Sequence, residues 1–301
     1  MLEVCIPVYN SDVRLLVESL NKEIEQYKLP VSILLVDDFS ESKFRTLNKE
    51  LQKIARYIEL KENVGRSKIR NLLASYSNQE YLLYLDGDTK PVKNGFLSNY
   101  CQVIKSQIPD CLFGGSEYQR EKPERRYLLR WKYSIERESK SFAQREKASF
   151  SFKTNNFVIR KSLMMKFPFS EELKGYGHED TLFGFVLRKN QINILNIDNP
   201  VENPLLDSNS DFLQKTDNAL KNLLHAYQLS DCDVDFLKSN KLLNLYMKLD
   251  ENILSLVRFF FKPSRFILHY FLKKGWFTLT MFDLYRFLTL NEIARDFRKH
   301  P

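Results

Sequence analysis

Unbroken apolar runs alternate with stretches of helical spacing from the start of the chain to Asp88. Leu2–Val8 and Val31–Val36 are almost continuously hydrophobic, and Tyr57–Leu60 and Tyr81–Leu85 are shorter runs of the same kind. Such runs are too short for ordinary helices and too continuous for strands with one wet face, so they predict strands buried on both sides. Between them, Val13–Tyr27, Lys43–Arg56 and Gly65–Tyr76 carry helical periodicity. The resulting β-α-β-α-β-α-β order predicts a mostly parallel sheet with helices on both faces.

Sheets of this kind bind ligands beyond the carboxyl ends of their strands. Tyr9-Asn10, Asp37-Asp38, Glu62-Asn63 and Asp86-Gly87-Asp88 all fall at that edge. Each alone also fits a helix cap or a turn; four polar segments from separate strands predict a site. In Asp86-Gly87-Asp88 the carboxylates stand at i and i+2, which in a strand points them to one side. Two such oxygens suit a hard divalent cation that completes its shell with water and substrate phosphates. The alternative is a solvated Asp-Gly turn. No G-x-G-x-x-G follows the first strand and no G-x-x-x-x-G-K-[ST] occurs, which argues against dinucleotide and P-loop sites.

With 301 residues, 43% of them hydrophobic, the chain can bury one large core plus an appendage. Lys and Arg outnumber Asp and Glu 46 to 38, but from Arg258 onward nine basic residues face three acidic ones. The basic character is therefore mostly a property of the C-terminus. Cys5, Cys101, Cys111 and Cys232 lie far apart and read as buried thiols, neither zinc ligands nor a disulfide frame. Neither a signal peptide nor a membrane-spanning helix is expected. Past Leu205 the pattern turns helical, first over Asp211–Tyr227. Asp250 caps a segment with Leu249, Ile253, Leu256, Val257 and Phe260 on one side. Aromatics then interleave with Lys and Arg to Leu290, which suits an anionic membrane surface or a helical layer packed on the α/β domain. Nucleic acid is not an expected partner, since no binding module is visible.

Ile6-Pro7-Val8-Tyr9-Asn10, Val36-Asp37-Asp38-Phe39-Ser40, Asn63-Val64-Gly65 with Arg70-Asn71, and Leu85-Asp86-Gly87-Asp88 together resemble family 2 glycosyltransferases of the GT-A fold. Phe113-Gly114-Gly115, Asn155–Arg160 and Gly175–Asp180 resemble later segments of that family, so coverage runs roughly over residues 1–213. The resemblance implies a GT-A-type catalytic domain over 1–205, with a nucleotide-binding half about 1–90 and an acceptor half about 91–205. A helical, basic-aromatic extension would occupy 206–301.

It also implies roles. Pro7, Tyr9, Asp38, Asn63, Gly65, Arg70 and Asp86 would bind the nucleotide sugar, and Asp88 with Asp86 would hold Mn2+ or Mg2+. Asp180 would be the general base, with Glu179, His178 and Trp131 on the acceptor side. Glu179 and Asp180 equally suit the dipole of a first helical turn, and His178 and Trp131 equally suit packing. Relatives often carry a His as a third metal ligand where Asn203 stands, and Asn offers only an amide oxygen. The Gln-x-x-Arg-Trp of processive synthases is also missing: Tyr127-Leu128-Leu129-Arg130-Trp131 lacks the Gln. The implied activity is metal-dependent, inverting transfer of one sugar, UDP-linked as first candidate, to a glycan or lipid-linked acceptor. Surface polysaccharide synthesis at the cytoplasmic face of a membrane is the implied setting. Two alternatives are a sugar-1-phosphate nucleotidyltransferase, which would want a Gly-rich basic loop after the first strand, and a catalytically impaired scaffold.

Overall fold

The computed structural model describes residues 1–147, 152–203, 207–295 and 297. Its strands are β1 (Leu2–Val8), β2 (Val31–Asp37), β3 (Arg56–Glu59), β4 (Tyr81–Leu85), β5 (Lys90–Pro91), β6 (Cys111–Phe113), β7 (Ser116–Tyr118), β8 (Asn156–Arg160), β9 (Ile194–Asn196) and β10 (Val201–Asn203). The helices begin with α1 (Arg14–Tyr27), α2 (Ser42–Asn48), α3 (Arg66–Tyr76), α4 (Phe96–Gln107), α5 (Leu128–Tyr133), α6 (Phe142–Lys147) and α7 (Lys161–Lys166). They continue with α8 (Glu179–Lys189), α9 (Asn209–Leu229), α10 (Val234–Ser239), α11 (Lys241–Lys248), α12 (Glu251–Lys274) and α13 (Leu279–Ile293).

Two compact units result. The first comprises Met1–Gln119, Lys140–Lys174 and Phe183–Leu205; the second comprises Arg120–Ser139, Gly175–Leu182 and Leu206–Pro301. The boundary expected at 205/206 falls outside the described residues.

The first unit is built on a seven-stranded sheet in the order β3-β2-β1-β4-β8-β6-β9. β1, β2, β3 and β4 run parallel, with Leu2 facing Val31 and Val8 facing Asp37. β8 runs opposite to both β4 and β6, so the sheet is mostly, not wholly, parallel. Alternate residues of β1 explain its continuous apolar sequence. Val4, Ile6 and Val8 pack with Leu16, Val17 and Leu20 of α1 and Phe96 and Tyr100 of α4, while Cys5 packs on the other face with Ile69 and Leu73 of α3. A smaller three-stranded sheet has the order β5-β10-β7, and its β5 is the strand that follows β4 in the chain.

The helix expected over Lys43–Arg56 stops at Asn48, followed by a 3-10 turn over Lys49–Lys53. Asn48 is the cause: its buried side chain accepts from Val13 N at 3.1 Å and donates to Ser11 O at 2.8 Å, tying the helix end to the loop after β1. Cys5, Cys101 and Cys111 are buried free thiols and Cys232 is half-buried. Burial pushes the first three thiols up, away from reactive thiolate.

The second unit packs Leu129 of α5, Phe212 and Leu213 of α9, Leu268 and Leu272 of α12, and Phe282 and Tyr285 of α13 into one core. Asp250 caps α12 as expected, accepting from Asn252 N at 2.8 Å. The stripe read as one side of that helix is divided: Val257 packs against this core, and the rest of its helical positions face outward. Ile253, Leu256 and Phe260 are exposed, and the buried residues are Leu254, Leu268 and Leu272. Among the described residues no helix is long and apolar enough to cross a membrane.

Candidate active site

The donor-side residues lie in the first unit. β1 ends in half-buried Pro7 and buried Val8, after which Tyr9 is exposed and Asn10 turns the chain with φ 49°. Asp38 follows β2 and its N–H donates to Val8 O at 2.7 Å, locking the two strand ends together. Its buried carboxylate accepts from Val64 N at 2.6 Å and from Gly65 N at 3.0 Å, while Asn63 Nδ2 donates to Asp38 O at 3.0 Å. Asp38 thus caps the start of α3 from a neighbouring loop, satisfying donors that a helix cannot satisfy itself. Burial pushes this carboxyl above the usual range; the two backbone donors pull it down, and nearby Asp37 pushes it up again. Gly65 adopts φ 84° with open space where a Cβ would stand, so its requirement is conformational.

Arg70 projects from α3 into a buried position. Its Nη2 donates to Asp86 Oδ1 at 2.9 Å, its Nη1 donates to Arg66 O at 3.1 Å, and Tyr84 Oη donates to Arg70 O at 2.9 Å. Beyond Asp86 the chain turns tightly: Thr89 donates to Asp86 O through N at 3.1 Å and through Oγ1 at 2.7 Å. The turn presses on the loop after β1, since a Cβ on Gly87 would lie 2.8 Å from Val13 Cγ1 and 3.6 Å from Pro7 O. Glycine is needed there for space. Asp88 is exposed at the tip.

Sequence reasoning gave Asn155 no role of its own, yet it joins the parts. Its carbonyl accepts from Asp86 N at 3.3 Å, its Nδ2 donates to Asn203 Oδ1 at 3.2 Å, and its Oδ1 accepts from Ser116 Oγ at 2.9 Å. The β5–β10 register pairs Val201 with Pro91 and Glu202 with Lys90, so β10, which ends in Asn203, is joined to the strand that follows the acidic turn. Among the described residues no three His, Cys, Asp or Glu side chains gather as a metal cage. The donor set is nevertheless hard: carboxylate oxygens from Asp86 and Asp88 and an amide oxygen from Asn203. Such oxygens are the donor type that a Mg2+- or Mn2+-type ion takes.

Glu179, Asp180, His178 and Trp131 belong to the second unit. Gly175, Gly177 and His178 have φ 79°, 102° and 67°, a left-handed approach to α8. At Gly177 a Cβ would lie 2.6 Å from Ala219 Cβ of α9, so no side chain fits. Glu179 Oε2 accepts from Gly177 N at 3.0 Å, and Asp180 Oδ1 accepts from Thr181 N at 2.7 Å. His178 Nδ1 lies 3.2 Å from Thr181 Oγ1. Burial pushes its imidazole down to about 4, with Glu179 opposing and Arg286 adding to that shift. Trp131 is half-buried on α5. Tyr133, two residues on, packs between Phe212 and Phe282 at 5.5 and 5.4 Å and is occupied as a core ring.

A mostly parallel sheet flanked by helices, with an acidic turn leaving its central strand, defines the GT-A glycosyltransferase class. The chain belongs to glycosyl transferase family 2, whose family model matches residues 3–168. No curated protein matches the chain. Among solved structures, the mannosyltransferase PcManGT of Pyrobaculum calidifontis, in complex with GDP-Man and Mn2+, is 12% identical with a TM-score of 0.60, over 99% of this chain and 88% of its own. TarS 1-349 of S. aureus is 16% identical with a TM-score of 0.54, over 100% and 92%. Mannosyl-3-phosphoglycerate synthase from Rubrobacter xylanophilus is 16% identical with a TM-score of 0.53, over 78% and 76%. At these identities the likeness is one of fold. The family assignment displaces the nucleotidyltransferase alternative.

Proposed function

We propose that the protein transfers one sugar from a nucleotide sugar, UDP-linked as first candidate, to a hydroxyl of a glycan or lipid-linked acceptor, with inversion. The observation that carries this reading is the Asp86-Gly87-Asp88 turn: Asp86 is clamped by buried Arg70 while Asp88 stands exposed beside it.

Departure of a nucleoside diphosphate builds negative charge, and a divalent cation held by Asp88, Asp86 and Asn203 would neutralise it as a Lewis acid. The remaining work falls to side chains. Arg70 fixes the carboxylate of Asp86, and Asp38 with Asn63 and Gly65 shapes the start of α3 where the nucleoside would lie. Tyr9 and Phe39, exposed after neighbouring parallel strands, offer faces to a base. Asp180 takes the proton from the acceptor hydroxyl, and a base opposite the leaving group gives inversion. Glu179, holding Gly177 N, shapes the acceptor loop, and His178 and Trp131 belong to the same unit. Relatives of the fold have been solved with UDP-GlcNAc and with GDP-Man and Mn2+, which supports a nucleotide-sugar donor and a divalent cation. The proposed setting is polysaccharide assembly at the cytoplasmic face of a membrane.

The test is a thermal-shift panel of UDP, GDP and UDP-GlcNAc with and without Mn2+, followed by donor hydrolysis. A ligand that binds only the folded state raises Tm by mass action. A Mn2+-dependent rise with one nucleotide family, and slow release of free sugar from the matching donor, is expected. Binding with no hydrolysis or transfer would leave the impaired-scaffold reading standing, and no shift with any nucleotide would overturn the proposal.

A further inference from the structure

Helix α12 has two apolar faces, and only one is used. Leu254, Leu268 and Leu272 enter the protein. On the opposite side of the same helix, Leu256, Phe259, Phe260, Phe266, Ile267 and Tyr270 recur at helical spacing, with Phe259 79% and Phe266 61% exposed. Soluble surfaces rarely carry so continuous an apolar strip without an occupant.

The charges around the strip identify the occupant. α12 holds five basic residues, Arg258, Lys262, Arg265, Lys273 and Lys274, against one acid, Glu251. A second copy docked along the same strip would bring two strongly cationic helices together, whereas an anionic surface would neutralise them. At helical spacing Lys262 and Lys273 flank one margin of the strip, and the Lys274 ammonium lies over the Tyr270 ring, 5.9 Å from its centroid. Beside the strip, between α12 and α13, opens a cavity of about 470 Å3 whose lining includes Phe259, Arg258, Lys262, Arg265 and Arg295. Two acids also line it, each neutralised: Glu251 pairs with Arg258, and Glu292 pairs with Arg265 at 3.0 Å. Among the described residues, Lys262 and Arg295 have no carboxylate partner. Phe259 and Lys262 belong to both strip and cavity, so an apolar surface and a cationic recess adjoin.

We propose that this face of α12 docks on a bilayer of anionic lipids, with the strip inserted at the headgroup–acyl boundary and the recess taking a headgroup phosphate. The helix is about 36 Å long at 1.5 Å per residue, and lies in the interface plane. The inference stands apart from the sugar-transfer reading, because it uses none of the donor-site or α8 residues.

Sedimentation of the full chain with vesicles tests it. The protein should pellet with mixed phosphatidylcholine–phosphatidylglycerol vesicles, stay in solution with pure phosphatidylcholine, and be released as salt shortens the range of charge attraction. Phe259→Ser with Phe266→Ser should abolish pelleting while Tm and the donor-induced thermal shift stay at wild type. Lys262→Gln and Arg295→Gln should each lower partitioning about fivefold, the factor equivalent to about 1 kcal/mol per cation near an anionic surface. Absence of pelleting with the mixed vesicles at low salt would overturn the proposal. So would unchanged partitioning of the Phe double variant. If that variant instead converts a dimer to a monomer with vesicle binding intact, the strip is a self-association face and the lipid assignment is wrong.

Discussion

The Arg70 guanidinium and the Asp86 carboxylate meet at 2.9 Å with unequal exposure: the arginine side chain is 3% accessible, the aspartate 25%. The pair therefore anchors one end of the acidic turn from inside and leaves part of it open to the edge where the sheet receives ligands. Asp88 has no such inward position. Two acids two residues apart have been given different environments.

Their substitutions should separate accordingly. Asp86→Ala leaves a buried guanidinium without its carboxylate and should lower stability by about 3 kcal/mol, the lower end for breaking a buried pair because Asp86 is partly open. Asp88→Asn should change stability by less than about 0.5 kcal/mol, as for exposed sites generally, yet remove the metal dependence of nucleoside-diphosphate binding. Urea denaturation and thermal shift with Mn2+ measure the two effects. Unchanged metal dependence in Asp88→Asn would reduce the motif to a turn.

Gly87→Ala should cost about 1–3 kcal/mol, because the new methyl would meet Val13 Cγ1 in a packed site. Shortening the opposing side chain gives the diagnostic. The double variant Gly87→Ala/Val13→Ala should be more stable than the sum of the two single losses, a coupling that a denaturation cycle reads directly. At Gly65 the loss on substitution by Ala should show no such rescue, since nothing crowds it and φ 84° alone is at fault.

These contrasts also mark what the sequence reveals and what it hides. β1, β2 and β4 are legible because a strand buried on both faces must be apolar at every position, and Leu2–Val8, Val31–Val36 and Tyr81–Leu85 are nearly so. The reversal of β8 is not legible, because Asn156–Arg160 has the same composition in either direction. Motif order located the edge where Asp38, Asn63, Gly65 and Asp86 gather, but not that Asn155 ties Asp86 to Asn203, since an asparagine's partners depend on register. On α12 periodicity shows a stripe but not which way it faces. Ile253, Leu256 and Phe260 are as apolar as Leu254, Leu268 and Leu272, and only packing decides which set turns inward.

His178 should give the protein a measurable acid sensitivity. Its imidazole is pushed down to about 4 from an ordinary 6.5, so between these values the unfolded chain binds a proton that the folded chain does not. Stability should therefore rise with pH across about 4 to 6.5 and be lost as pH falls through that window. His178→Asn keeps a side chain tolerant of φ 67° and removes the titration. Urea midpoints at about pH 5 and pH 7.5 should differ less in this variant than in wild type; an equal difference would assign the acid sensitivity to other groups.

For catalysis the first turn of α8 is decisive. General-base assistance is worth about 10²–10⁴-fold, so Asp180→Asn should lower kcat within that range while donor affinity holds. Glu179→Gln should instead raise acceptor KM, because Glu179 accepts from Gly177 N and sets the loop. A dead Glu179→Gln beside an active Asp180→Asn would exchange the two roles.

The reversed strand β8 also sets a timetable for synthesis. β4 pairs on one side with β1, but its other partner, β8, is encoded about seventy residues later. At about 5–20 residues per second, translation needs roughly 4–14 s to cover that interval. Throughout it the apolar edge Tyr81–Leu85 has unpaired backbone groups, a template for wrong strand pairing. The nascent chain is thus most vulnerable to aggregation after its nucleotide-binding half has emerged and before Asn156–Arg160 has left the ribosome, so slow codons between them should lower the yield of folded protein.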